Sequence, residues 1–289
     1  MSEAIGFHAA VSLTDARVQV ERYGDDARIV SGGTAIALFL RQGLILPGLL
    51  VGVAKVPELQ SIARLPDGGL RIGAAVALRR LENDPLIAHW PLLGAALRAV
   101  ATPRIRNMAT LGGGLAHADP AQDPPVALAA LDARIVVAGS AERRIPAADF
   151  ALGYYETALR GGEIITAIEL PAPVPAAGAA YLKFLPRSVD DYGVVTAAAR
   201  VELRDGTCTG VRLCLGAVGP TPLLVDVAAD LIGTGLDDAA LRRACARVGD
   251  LVDPIGDVRG SAGYKRDMAV VFARRAVRAA AEHARRARA

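Results

Sequence analysis

Cysteine is scarce: Cys208, Cys214 and Cys245 are the only three in 289 residues, and no two of them form a C-x-x-C pair. Such a set cannot build a four-cysteine zinc or iron–sulfur site, so any cluster of that kind must sit on another chain. Lysine is as sparse. Lys55, Lys183 and Lys265 are the whole complement, and none follows a glycine as a phosphate-binding P-loop requires. No G-x-G-x-x-G follows a strand, which weighs against a nicotinamide-type Rossmann domain. The histidines, His8, His89, His117 and His283, make no H-E-x-x-H or H-x-H pair, and no G-x-S-x-G elbow exists. Hydrolytic and metal chemistry therefore lose ground.

Charge of one sign is also missing. Lys and Arg number 33 against 30 Asp and Glu, so the whole chain suggests neither a nucleic-acid surface nor an acidic-lipid surface. No apolar stretch approaches the length of a membrane span, and Met1–Ala4 has no basic region leading into an apolar run. The expectation is a cytoplasmic chain, reaching the inner face of a membrane only through partners.

What is present is ample apolar material, 52% of residues, enough for two or three compact lobes. Two glycine-rich turns stand about eighty residues apart. The first is Val30-Ser31-Gly32-Gly33-Thr34. The second is Thr110-Leu111-Gly112-Gly113-Gly114, trailed by Ala116-His117-Ala118-Asp119-Pro120 and Asp123. Each can offer a run of unhindered backbone N–H groups, the donor set a pyrophosphate needs. Together they suggest a clamp on one large dinucleotide.

The surrounding pattern supports the first turn as a phosphate seat. Ala27–Val30 reads as a buried strand and Ala35–Gln42 as a helix, and strand, glycine turn, helix aims the partial positive end of the helix at the turn. A Gly-Gly before a helix serves equally well as an ordinary tight connection. Further on, Pro66–Gly69 reads as a hairpin turn before a strand at Leu70–Gly73, and helices are expected across Leu78–Asn83 and Leu92–Ala101. Pro124-Pro125 opens a helix, and strands are expected at Arg134–Ala138 and Glu163–Leu170. Pro171, Pro173 and Pro175 punctuate a linker. Beyond it lie Tyr181–Phe184, strand-like runs at Val194–Leu203 and Val211–Ala217, and a long helix capped by Ser261. Its last dozen residues, rich in arginine and alanine, are expected to fray.

Individual side chains leave alternatives open. Asp119 and Asp123 can accept bonds from ribose hydroxyls or cap the helix that follows. His117 can touch a ligand or bond to backbone. Lys183 can snorkel from a strand edge or place a charge near a bound group. Asp190-Asp191 reads as solvated surface.

Taken together, Ser31–Thr34, Arg104–Gly114, Ala116–Pro120 with Asp123, Lys183–Arg187 with Asp190-Asp191, and Asp257–Arg266 resemble one family. It is the FAD-binding medium subunit of molybdenum hydroxylases, the group of xanthine dehydrogenases and aerobic carbon monoxide dehydrogenases, and the resemblance covers nearly the whole chain. It implies an α+β fold: a two-lobed FAD-binding unit of the PCMH or vanillyl-alcohol-oxidase type over residues 1–175, with lobes near 1–54 and 55–175. A smaller α+β domain with a terminal helix would occupy 176–289.

By the same resemblance Ile29, Val30, Ser31, Gly32, Gly33, Thr34, Ala35 and Ile36 would wrap the FAD diphosphate with Thr110, Leu111, Gly112, Gly113 and Gly114. Asp123 would hold the ribitol or ribose side, Lys183 would lie near the isoalloxazine ring, and Ile165 would make a backbone contact. The family often ends its second loop in Asn or Ser where this chain has Gly114, which leaves the backbone N–H as the expected donor there. The implied partners are a large subunit carrying the molybdenum cofactor and a small subunit with [2Fe–2S] clusters, assembled as a dimer of heterotrimers. The implied role is electron transfer through FAD to an external acceptor. A self-contained flavoprotein oxidase and a flavin-free assembly subunit are the alternatives.

Overall fold

A computed structural model describes residues 5–186, 188 and 191–287. Met1–Ala4, and Arg187 and Asp190 of the motifs above, lie outside the described residues.

The first unit runs β1 (Gly6–Ala9), α1 (Leu13–Tyr23), β2 (Ala27–Val30), α2 (Ile36–Arg41), β3 (Leu49–Gly52). Its strands form a parallel sheet in the order β1-β3-β2. Ser12 caps α1 by accepting the Asp15 N–H at 3.0 Å, and Ala16 and Val20, four apart, turn one face of that helix into the core. The central strand β3 buries Leu49 and Val51 in alternation, as one face of a sheet requires.

The second unit contains β4 (Ile62–Arg64), β5 (Leu70–Gly73), α3 (Leu78–Glu82), α4 (Pro91–Ala99), α5 (Pro103–Met108), α6 (Leu111–His117), α7 (Asp123–Ala130), β6 (Arg134–Ala138), β7 (Glu142–Pro146), β8 (Ala151–Gly153), β9 (Glu156–Thr157) and β10 (Ile164–Leu170). The main sheet is antiparallel, in the order β4-β5-β10-β6-β7. The expected hairpin is there, closed by Leu65 N–H to Gly69 O at 2.9 Å with Gly68 at φ +87°. Trp90 and Phe150 anchor the core, and the indole N–H of Trp90 donates to Pro171 O. The interior of α7, Val126 to Ala130, is buried all round, which fits a helix with protein on every side.

The third unit is an antiparallel sheet, β11 (Gly178–Phe184), β12 (Val195–Arg204), β13 (Thr207–Gly216) and β14 (Leu223–Val225) in that order. It is followed by α8 (Ala228–Leu231), α9 (Asp238–Ala246), α10 (Val248–Leu251) and α11 (Ala262–Arg286). Ser261 caps α11 by accepting the Tyr264 N–H, as its sequence position predicts. Among the described residues the expected fraying is not seen. Helix runs through Arg286 because Ala280, Ala281 and Ala284 are buried, and Arg285 donates to Gly235 O at 2.9 Å. Small residues let α11 lie very close to β11: a Cβ on Gly178 would fall 1.9 Å from Ala280 O.

The second glycine turn is the other difference. Thr110 is an N-cap, and Gly112, Gly113 and Gly114 form the first turn of α6 despite their poor helix propensity. Space explains Gly112, since a Cβ there would meet Ala74 Cβ at 2.6 Å and Ala74 O at 2.8 Å.

Candidate functional site

The two glycine segments meet. A Cβ on Gly32 would lie 1.9 Å from Met108 O, so the first turn passes flush against the chain leading into the second. A Cβ on Gly113 would lie 3.8 Å from that of Ser31. The fold thus joins segments that the sequence separates widely.

Their backbone donors differ in state. In the first segment the N–H groups of Ser31, Gly32, Gly33, Thr34, Ala35 and Ile36 have no acceptor among the described residues, although all six residues are half-buried. The hydroxyl of Ser31 is buried and likewise unpartnered. Orphaned donors of this kind call for an acceptor from outside the chain. Gly33 at φ +74° turns the strand into α2, and a Cβ there would make no contact closer than Val30 Cγ2 at 3.8 Å. Ile29 and Val30 form the strand body behind this turn, with Val30 O accepting Val53 N–H at 2.8 Å.

In the second segment the donors are already used. Leu111 N–H donates to Val76 O, Gly112 to Ala74 O, Gly113 to the Thr110 hydroxyl and Gly114 to Thr110 O. The expected free N–H at Gly114 is therefore engaged in the helix. What this segment contributes is a wall without side chains. Beside it a Cβ on Gly114 would sit 3.0 Å from Gln122 Oε1.

Ile165 lies behind that wall. It is buried in β10 next to a bulge, where Thr166 O accepts the Ala74 N–H at 3.0 Å and Ala74 in turn supports Gly112.

Asp123 and Lys183, sixty residues apart, form a buried ion pair at 2.9 Å with side chains 5% and 6% exposed. Lys183 also donates to Ala99 O at 2.9 Å, and the Tyr181 hydroxyl donates to Asp123 at 2.6 Å. Burial pushes the Asp123 carboxyl above its usual range, against the pull of the Lys183 ammonium and the Tyr181 hydroxyl. Burial, reinforced by the Asp123 charge, raises the Tyr181 phenol well above its ordinary value. This triad ties α4 and α7 of the second unit to β11 of the third. Tyr181 carries no signal in the sequence beyond its place two residues before Lys183, the alternation that puts both on one face of a strand.

Around the cleft, His117 does not bond to backbone. Its ring packs against Phe39 at 5.1 Å and Tyr155 at 5.2 Å between centroids, and burial lowers its pKa. Asp119 accepts Ala121 N–H and the Tyr155 hydroxyl. Asp191 stays at the surface, its side chain 31% exposed, but is not free: it pairs with Arg259 at 3.1 Å, which also pairs with Asp257, itself bound to Lys265 at 2.9 Å. Burial pushes the Tyr192 phenol up to about 12. Arg106, part of the Arg104–Gly114 motif but given no role by the sequence, has a guanidinium that donates to Val100 O and Ala101 O and pairs with Glu82 at 2.6 Å, bracing α5. Thr102-Pro103, an N-cap followed by proline at N1, was the signal for that helix.

The fold is a two-lobed unit in which two glycine-rich segments meet, joined to a smaller sheet-and-helix domain. Residues 3–173 match the family described as the FAD binding domain in molybdopterin dehydrogenase, and residues 180–280 match the CO dehydrogenase flavoprotein C-terminal domain. The carbon monoxide dehydrogenase medium chain of Afipia carboxidovorans is 35% identical, with 96% of this chain and 97% of that one covered. The nicotine 6-hydroxylase medium subunit of Paenarthrobacter nicotinovorans is 32% identical over 95% and 96% of the two chains. Among solved structures, reconstituted CO dehydrogenase from Oligotropha carboxidovorans superposes with a TM-score of 0.94 at 32% identity, covering 98% and 99%. Quinoline 2-oxidoreductase from Pseudomonas putida gives 0.91 at 31%, with the same coverage.

The chain belongs to the family of FAD-binding medium subunits of molybdenum hydroxylases. It is an oxidoreductase subunit, and FAD is its cofactor. The two glycine segments fit that group: unpartnered N–H donors on one and an absence of side chains on the other are what a diphosphate requires. No helix among the described residues is long and apolar enough to cross a membrane.

Proposed function

We propose that this chain is the flavoprotein subunit of a heterotrimeric molybdenum hydroxylase. In this reading it takes electrons from [2Fe–2S] clusters of a small partner subunit and delivers them to an external acceptor, while substrate is oxidised at the molybdenum cofactor of a large partner subunit. The observation that carries it is the row of unpartnered N–H groups from Ser31 to Ile36 in a segment that lies against the chain leading into the Thr110–Gly114 wall.

Residues 1–175 hold the cofactor, in lobes 1–54 and 55–175, and 176–289 complete the subunit. FAD, when bound, supplies storage for two electrons between one-electron donors and the acceptor. Ser31–Ile36 neutralise the diphosphate with N–H donors and with the partial positive charge of the α2 N-terminus. Gly112 and Gly113 let it approach without steric conflict, with Ile29, Val30, Leu111 and Ile165 as the apolar support behind. Asp123 and Lys183 lie at the junction of the second and third units, where the flavin end of an extended dinucleotide would meet both.

Purified full-length chain incubated with FAD and passed through gel filtration tests the reading. Flavin absorbance near one equivalent, released by acid, together with molybdenum and iron in material captured with its co-expressed partners, is the expected result. Colourless protein, or flavin that stays on acid-precipitated protein, would overturn it.

A further inference from the structure

The short helices α2 and α6 are joined at both ends. Each begins at the proposed diphosphate site, α2 just after Ser31–Ala35 and α6 with Gly112–Gly114, and there a Cβ on Gly113 would meet that of Ser31 at 3.8 Å. At their far ends a second contact appears. Phe39 near the end of α2 packs edge-on against His117, the last residue of α6, at 5.1 Å between centroids. Tyr155 closes the triangle, 5.5 Å from Phe39 and 5.2 Å from His117.

Tyr155 is held there under strain. It takes φ +58°, unfavourable for a residue with a bulky side chain, and its N–H donates to the carbonyl of Ala118, itself left-handed at φ +49° where it terminates α6. Its hydroxyl donates to Asp119, one residue further along. Two strained residues that bond to each other and present a ring across a lobe boundary are over-determined for mere loop closure. Tyr155 remains 52% exposed, so the contact is not part of a hydrophobic core.

We propose that Phe39, His117 and Tyr155 form a clasp that fixes the spacing of the two glycine segments and thereby sets how fast FAD leaves the chain. These are positioning residues: they act by holding α2 and α6 at one separation, so that the Ser31–Ile36 donors and the glycine wall grip the diphosphate together. The inference rests on the diphosphate site assigned above.

The test is the FAD dissociation rate of the loaded full-length chain, followed by flavin fluorescence after dilution, beside the thermal melting of each apo variant. Phe39→Ala and Tyr155→Ala each remove two of the three ring contacts and are expected to speed dissociation about tenfold. The double variant is expected to be no faster than either single one, because an open clasp opens once. Tyr155→Phe keeps both ring contacts and is expected to stay within about twofold of the parent chain. Apo melting is expected to fall by no more than a few degrees in Phe39→Ala, the loss of two ring contacts at the surface, which separates the clasp from a general loss of fold. Parental dissociation rates in Phe39→Ala and Tyr155→Ala would overturn the proposal. So would a Tyr155→Phe rate matching Tyr155→Ala, which would place the effect in the Asp119 bond. A parent chain that binds no FAD would overturn the diphosphate site itself, and the clasp with it.

Discussion

Replacing Asp123 with Asn is the sharpest probe of how the second and third units are held together. The substitution keeps the shape and the bond from Tyr181 but leaves the Lys183 ammonium, 6% exposed, with the carbonyl of Ala99 as its remaining hydrogen-bond acceptor. Removing one partner of a buried pair costs about 3–5 kcal/mol, because the other charge stays desolvated without compensation. At roughly 2–4 °C per kcal/mol this is a fall in Tm of about 10 °C. Lys183→Met behaves differently. It leaves a carboxyl whose burial already raises its pKa and removes the ammonium that opposes that rise. The folded state then holds the proton more tightly than the unfolded chain does. Stability of Lys183→Met is therefore greatest below the unfolded carboxylate value, about 3.9, and falls as pH rises through the elevated folded value, by up to ~1.4 kcal/mol per pH unit. Asp123→Asn has no carboxyl at this site and lacks that slope. The assay is thermal unfolding by circular dichroism at matched, saturating FAD, since bound ligand adds stability of its own. An Asp123→Asn variant within about 0.5 kcal/mol of the parent chain, or a Lys183→Met variant whose stability rises with pH, would refute the argument.

Ser31→Ala removes a buried hydroxyl that has no partner in the protein, so stability should hold while FAD affinity drops about tenfold, the worth of one hydrogen bond; equilibrium titration of flavin fluorescence decides it. Gly33→Val places a Cβ in ordinary contact with Val30 Cγ2, 3.8 Å away, at φ +74° and should lose flavin after gel filtration while costing the fold about 1–2 kcal/mol of backbone strain. Gly113→Val should lose flavin too, with its Cβ 2.7 Å from the Thr110 hydroxyl that caps α6. Deleting residues 278–289 should destabilise the third unit by several kcal/mol, roughly that of exposing the core around Ala280, Ala281 and Ala284; an unchanged Tm would mean that this end of α11 contributes nothing.

Much of the element order was legible because local signals agreed. Ser261 with its apolar spacing, the Pro66–Gly69 turn and the Val30–Ile36 transition each carried a cap, a turn residue or a change of period that matched the structure. The glycine run at 112–114 misled in one respect, because its helical state is imposed by Ala74 and by the Thr110 cap, one a tertiary contact and the other a bond that a turn could equally make. The arginine-rich end misled for the same reason: buried alanines look like a featureless tail until a sheet is placed against them. In the candidate site, Asp123 and Lys183 were each visible, but their pairing was not, since nothing local reports a contact sixty residues long. The Phe39, His117 and Tyr155 triangle had no sequence signal, for it depends on two left-handed residues, Ala118 and Tyr155, that are neither glycine nor asparagine.

The unequal state of the two glycine segments has a consequence for Gly114. The family resemblance implies Asn or Ser at this place, and the backbone N–H expected to stand in for such a side chain is committed to Thr110 O. In the proposed reading the first segment then supplies the backbone donors to the diphosphate and the second only a bare wall, so position 114 is a place where affinity for FAD could be raised. Gly114→Ser puts a Cβ 3.0 Å from Gln122 Oε1, the free end of a flexible side chain that can turn aside. The new hydroxyl adds one donor on the cleft side, expected to strengthen FAD binding by about tenfold. Replacing a helical glycine also adds roughly 0.5 kcal/mol of stability with no cofactor present. The two effects are read separately, by FAD titration and by apo melting. A variant that melts higher but binds FAD no more tightly would show that position 114 faces away from the cofactor, leaving the grip to Ser31–Ile36 alone.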